Sequence, residues 1–498
     1  MKNGPGFTEC LIGLALAVSS LTSVFASPDP NPGGSHPATL VRAADDAGGA
    51  ALTLYYPRLA ISKENSVPAD DSQYTGIAVT NLSSTKATVT FTAYDETGTP
   101  MSGPDLNNPT SLDLEPGQQQ TLIDVQLFGS GLISQDPVGW IEVESAVPEI
   151  VAVFTTFDGN LSMLEQTTPS SNPTTDLVLP EIEEQGFTQI QIANPDSSPA
   201  TVAFQLLQAD GNYRVPPASR TVPADGALAE DVANLFPGVS LADTDYIWVT
   251  SDRGIVASEY LGKPAHDVYG LGGQDSTAGA TTLYAPQYAV GPDWGSTLSV
   301  VNLDSQPGTV TFKLFSDDGT QIGNTKVVPI DPFGKIYIED SSFFLDPGDN
   351  LVQGFLEITS DGVRLTGNIV FADPAGTYSF ASALPLSSTV QNRMVFNQVS
   401  SDTAHFTGIT LVNPEETDAN VTLEVFNRNG DLLSSKAEVI GSMQRESRLF
   451  SEYFPELAPT DITSGYIKVT SDQGLAGFAV LGTNDLSALS AVPAQSVP

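Results

Sequence analysis

The side chains in this chain that could do chemistry are mostly acids. A loop before the second strand of each repeat carries them: Asp70 and Asp71, then Glu183 and Glu184, then Asp293 beside Trp294, then Asp402 three residues before His405. An acid next to an indole suits a sugar, which stacks on the ring and hydrogen-bonds to the carboxylate, so Asp293 and Trp294 are the candidate ligand-binding pair. Carboxylates are also hard oxygen ligands, which makes Asp70, Asp71 and Asp402 candidate calcium ligands. The competing role for Trp294 is structural: Tyr74, Phe187 and Phe406 stand about one residue later in register, where a large ring covers the end of a sandwich. That role is preferred.

Catalysis is poorly supplied. The three histidines, His36, His266 and His405, fall in unrelated places, so a serine triad or a zinc site would have to be assembled across distant segments. There is no glycine-rich phosphate cradle and no nucleophile elbow. A carboxylate pair for glycoside hydrolysis carries no information here, because among 59 acidic residues some pair always falls at a workable distance. No catalytic residue is assigned, and the chain is expected not to be an enzyme.

The setting follows from the N-terminus and the charge. Lys2, the apolar run from Leu11 to Ala26 and the small residues before Ser27 predict a cleaved signal peptide over 1–26, hence a secreted, extracellular or cell-surface protein. The segment 27–52, rich in Pro, Gly, Ala and Asp, reads as a flexible leader. The one cysteine, Cys10, lies in the signal peptide, so a mature chain would have no disulfide. A formal charge of -40 excludes a phosphate-binding surface and therefore nucleic acid, and no later run is long and apolar enough to span a membrane. No cofactor is expected beyond calcium at the acidic loops.

These loops sit in a frame that occurs four times. Asn81, Asn194, Asn302 and Asn413 each end an alternating apolar strand, and each is followed 17 residues later by a glycine, Gly98, Gly211, Gly319 and Gly430. The asparagines are 113, 108 and 111 residues apart, the size of a module that buries its own core. Apolar residues stand four and two positions before each asparagine and eight, ten and twelve after it, as in Ile77, Val79, Val89, Phe91 and Ala93. Period two over two strands means one buried face each. Asparagine suits the cap of a turn, and the glycine, usually after Asp or Asn, suits a hairpin with positive φ. A short helical turn ending in phenylalanine is expected next, then a strand opened by an aromatic residue: Trp140, Tyr246, Phe355 and Tyr466. About seven strands per repeat predicts an all-β chain of four tandem immunoglobulin-like β-sandwich domains, at 53–170, 177–280, 281–388 and 392–498.

The segments Thr407 to Pro414, Leu235-Phe236-Pro237 and Gly465 to Asp472 resemble tandem β-sandwich repeats of uncharacterised secreted bacterial proteins. The resemblance covers most of the chain after the leader and implies export and a modular all-β architecture, with no catalytic residues to carry over. At the step after the asparagine, Leu82 and Leu303 depart from its Asn-Pro pattern. The function expected is that of a non-enzymatic structural or adhesive protein of the cell exterior, its modules arranged as beads in a row, with an extracellular protein or polysaccharide as partner. The alternative is polysaccharide or calcium-dependent ligand binding through the end loops.

Overall fold

A computed structural model describes residues 52–61, 73–135, 138–158, 163–263, 268–373, 380–457 and 460–497. The expected signal peptide, the leader up to residue 51, and Asp70 and Asp71 lie outside the described residues.

The chain is all-β. In the first repeat, β1 (Leu52–Tyr56), β2 (Gln73–Asn81), β3 (Ala87–Asp95), β4 (Thr110–Leu114), β5 (Gln119–Ile123), β6 (Gly139–Ser145), β7 (Ile150–Asp158) and β8 (Leu164–Thr167) form two antiparallel sheets, ordered β1-β6-β3-β4 and β5-β2-β7-β8. Because β2 and β3 lie in different sheets, their alternating residues meet from opposite sides: Ile77 and Val79 face Val89, Phe91 and Ala93 in one buried cluster. The third repeat repeats this order strand for strand.

The second and fourth repeats differ from expectation at one corner. The two late strands there run on as single strands, Tyr246–Gly262 and Tyr466–Thr483, which pair in both sheets. In the first repeat Pro148 interrupts the chain at that corner, and in the third Gly362, at φ 129°, turns it. Ser251 to Gly254 stay extended, and a register shift between Thr250 and Ile255 takes up the bend. Short helices occur at Asp124–Phe128, Val232–Leu235 and Phe450–Tyr453, whereas Phe343 of the third repeat sits in a turn.

The repeats are not strung as beads in a row. The last strand of each, β8, then Val268–Gly272, Ala381–Pro385 and Leu489–Pro493, packs against that of the next, and the fourth packs back on β8. Four edge strands that would otherwise face water are thereby covered. Apolar residues fill the contacts, with Leu261, Tyr269 and Leu271 against Val370, Ala381 and Ala383. The core of the third repeat is continuous with Phe406, Phe478 and Leu489 of the fourth. The four repeats thus contact one another cyclically.

Candidate functional site

The seams between repeats gather most of the residues that recur. Each marker asparagine is fully buried and ties two turns together. Its Nδ2 donates to carbonyls on both, as from Asn81 to Thr85 at 2.7 Å and Leu114 at 3.0 Å, and its Oδ1 accepts from the amide two residues on. Asn194, Asn302 and Asn413 repeat the pattern with Ser198, Gln306 and Thr417. The second of these turns has a left-handed residue at its apex: Gly117, Asp225, Phe333 and Met443, with φ of 78°, 54°, 53° and 56°.

That apex receives the preceding repeat. Trp140 Nε1 donates to the Asp225 carbonyl at 2.8 Å, Tyr246 OH to Phe333 at 2.6 Å, and Tyr466 OH to Gly117 at 2.9 Å, which closes the cycle from the fourth repeat to the first. Phe355 has no polar hydrogen and packs on Val412 and Ala476. The aromatic that opens each strand is thus a docking residue. Beside it, one backbone bond is present in every seam: the amides of Ala227, Lys335, Arg445 and Gln119 donate to the carbonyls of Glu96, Ala209, Asp317 and Arg428 at 3.2, 2.9, 3.1 and 2.8 Å. The acceptor stands two residues before each hairpin glycine. Those glycines have φ of 76° to 86° and also lie against the next repeat: a Cβ on Gly98 would stand 1.8 Å from the Ala224 carbonyl oxygen, and one on Gly211 2.1 Å from that of Pro332.

The residue whose amide makes that bond differs in every seam. Gln119 Nε2 donates to the carbonyls of Asn397 at 2.8 Å and Gly465 at 3.1 Å. Lys335 Nζ, buried, donates to those of Pro180, Asp243 and Asp245 at 2.7, 2.8 and 3.1 Å, with Glu181 at 3.9 Å. Burial pushes the Lys335 ammonium down, against the pull of Glu181 and Glu259. Burial and the neighbouring Glu181 hold the Glu259 carboxyl well above the usual carboxylate range. Arg445 Nε donates to the Pro286 carbonyl at 3.0 Å, and its Nη1 pairs with Asp317 at 2.5 Å. In the seam between the first and second repeats the position holds Ala227.

A cavity of about 360 Å³ opens at that seam, lined by Pro57, Arg58, Gln191, Ala227 and Tyr260 among others. The buried Arg58 guanidinium lies 3.7 Å over the Tyr260 ring, with Nη1 3.5 Å from Glu165, whose carboxyl burial pushes up. A second cavity, about 370 Å³, lies where the four last strands meet, with Thr167, Gly272, Ala383 and Ala491 each contributed by a different repeat.

The acidic loops converge less. Asp293 is exposed, while Trp294 is buried against Phe380 and Phe371, at ring-centroid distances of 5.2 and 6.5 Å, inside the core of its repeat. Asp402 Oδ1 accepts from the amides of Ala404 and His405, both at 2.7 Å, and the His405 ring is 3.1 Å away, so this carboxylate caps its own turn. Among the described residues no three His, Asp or Glu side chains group as a metal site. Arg58, Gln191 and Ala227 had no motif to announce them. Their only signal is variation at one place inside a recurring frame.

No family model and no curated protein matches this chain. Among solved structures, a glycoside hydrolase family 32 protein from Bifidobacterium adolescentis aligns over 88% of this chain and 99% of its own, at 8% identity and a TM-score of 0.15. Dimeric latent PorU from Porphyromonas gingivalis aligns over 70% of this chain and 32% of its own, at 9% identity and a TM-score of 0.12. Neither likeness carries an argument about fold or function.

Proposed function

We propose that this chain is an exported, non-enzymatic structural or adhesive protein of the cell exterior, built from four immunoglobulin-like β-sandwich domains that close into a ring. The ground for this is that the residues recurring from repeat to repeat serve shape. The asparagines tie turns, and the glycines and aromatic residues dock each repeat on the next, across four seams of one design. A closed ring holds its outward loops in a fixed relation, which favours contact with an extended partner such as an extracellular protein or polysaccharide. The formal charge of -40 suits a saline exterior, where counterions screen it.

Export and adhesion are tested separately. Expressed with its own N-terminus in a bacterial host, the chain should leave the cytosol and begin at Ser27 by mass spectrometry. A cytosolic product that keeps residues 1–26 would remove export. Beads coated with the chain should bind cells of its own source more than albumin-coated beads do, and equal binding would remove the adhesive role.

A further inference from the structure

Three of the four seams share a bond that the fourth lacks. A carbonyl directly after the first strand of the repeat, or in the third repeat at the register shift inside that strand (Thr282–Val290), accepts from the next repeat's side chain: Asn397 from Gln119 Nε2 at 2.8 Å, Pro180 from Lys335 Nζ at 2.7 Å, and Pro286 from Arg445 Nε at 3.0 Å. In the first seam the carbonyl is that of Pro57, and the donor's place is taken by Ala227, whose methyl group can donate nothing. Pro57 and Ala227 both line the cavity of about 360 Å³. Gln191 lines it too. This side chain is 4% exposed, its Nε2 donates to Gln189 Oε1 at 3.0 Å, and its Oε1 has no hydrogen-bond partner. A buried acceptor left alone is costly, so it marks where a donor belongs.

We propose that this cavity is a binding site for a neutral, hydroxyl-rich ligand of about monosaccharide size, which occupies the space that Gln119, Lys335 and Arg445 fill in the other seams. Charge on the ligand is disfavoured from both sides. An ammonium would lie beside the Arg58 guanidinium, which also lines the cavity. A carboxylate would compete with Glu165 for Arg58 and would lie against Pro57 and Gln191, whose carbonyl oxygens only accept. A hydroxyl satisfies both kinds of wall, because it donates to those oxygens and accepts from an arginine N–H. Leu59 and Ile61, buried, and the half-buried Leu228 give the apolar contact that the C–H faces of a sugar ring need. The volume falls in the range of small-molecule sites, roughly 300–1,000 Å³. The site concerns a free solute at a seam and does not depend on whether the chain adheres to anything.

Calorimetric titration of the full chain with glucose, galactose, mannose and N-acetylglucosamine, with glucuronate and ethylamine as charged controls, tests this. At least one neutral sugar should bind saturably in the millimolar range or tighter, and both charged probes at least about tenfold more weakly. Ala227→Gln puts back the side chain of the fourth-to-first seam, so it should abolish binding and raise the melting temperature. Gln191→Leu, similar in size, removes only the acceptor and should weaken binding about tenfold. If Ala227→Gln does not fold, Gln191→Leu decides. Absence of any neutral-sugar binding, or affinity unchanged in the variants that fold, would overturn the site. Tighter binding of glucuronate or ethylamine would overturn the ligand class.

Discussion

Two glycines of nearly equal φ separate hairpin strain from seam closure. Gly98, at 86°, faces the second repeat, and Gly238, at 77°, has nothing within 4 Å of where a Cβ would stand. Alanine at either position carries the left-handed penalty, about 1–2 kcal/mol. At Gly98 the methyl would also stand 1.8 Å from the Ala224 carbonyl oxygen, against the 3.0 Å that real Cβ atoms respect. The hairpin and the turn must then part by at least 1.2 Å (3.0 − 1.8). The bond from Ala227 N to Glu96, already 3.2 Å long, and that from Trp140 Nε1 to Asp225, at 2.8 Å, both lie at this contact. Losing them costs about 1 kcal/mol each, before any loosening of Trp140 over Ala193 and Ala227. Gly98→Ala should therefore destabilise by about 3–5 kcal/mol and Gly238→Ala by about 1–2 kcal/mol. Chemical denaturation monitored by tryptophan fluorescence reads the difference, since Trp140 lies in the seam. Equal losses in the two variants would show that the first two repeats do not meet in solution as described.

Three further outcomes are expected. Tyr466→Phe keeps the ring that docks on the first repeat but removes its bond to Gly117, as Phe355 does naturally in the third seam, and should cost about 1 kcal/mol by denaturant titration; no loss would mean that the fourth-to-first seam is open. The Glu259 carboxyl titrates above its ordinary value of 4.5 in the folded chain, chiefly because it is buried, so folding favours the neutral acid and the cost of the charge accrues as pH rises through the unfolded-state value. Glu259→Gln should then gain stability over the parent as pH rises from about 4 to about 8, and a gap that stays constant or narrows refutes the burial argument. With 59 acidic against 19 basic residues, the melting temperature should rise with sodium chloride, and calcium should add nothing beyond magnesium at equal ionic strength; a calcium-only shift would make ligands of Asp70, Asp71, Asp293 and Asp402.

What was legible in the sequence is what local physics dictates. Alternation at Ile77, Val79, Val89 and Phe91 fixes two buried strand faces without reference to any other repeat, and the sheets contain them as buried neighbours. The glycine at 98 was legible as a turn residue, yet a turn explains it so completely that nothing hinted at the Ala224 carbonyl, 126 residues further on (224 − 98), which also demands it. At Trp294 two readings competed, a ligand platform beside Asp293 and the preferred cover for the sandwich end, and the ring is buried against Phe371 and Phe380. Ala227 was illegible for another reason, since its meaning lies in what Gln119, Lys335 and Arg445 do at the same place elsewhere. In a chain whose repeats share one frame, identity across repeats marks the geometry that all of them need. Departure from identity at a buried polar position marks where one repeat does something the others do not, and on that ground the Arg58, Gln191 and Ala227 seam, rather than the acidic loops, is where a ligand should be sought.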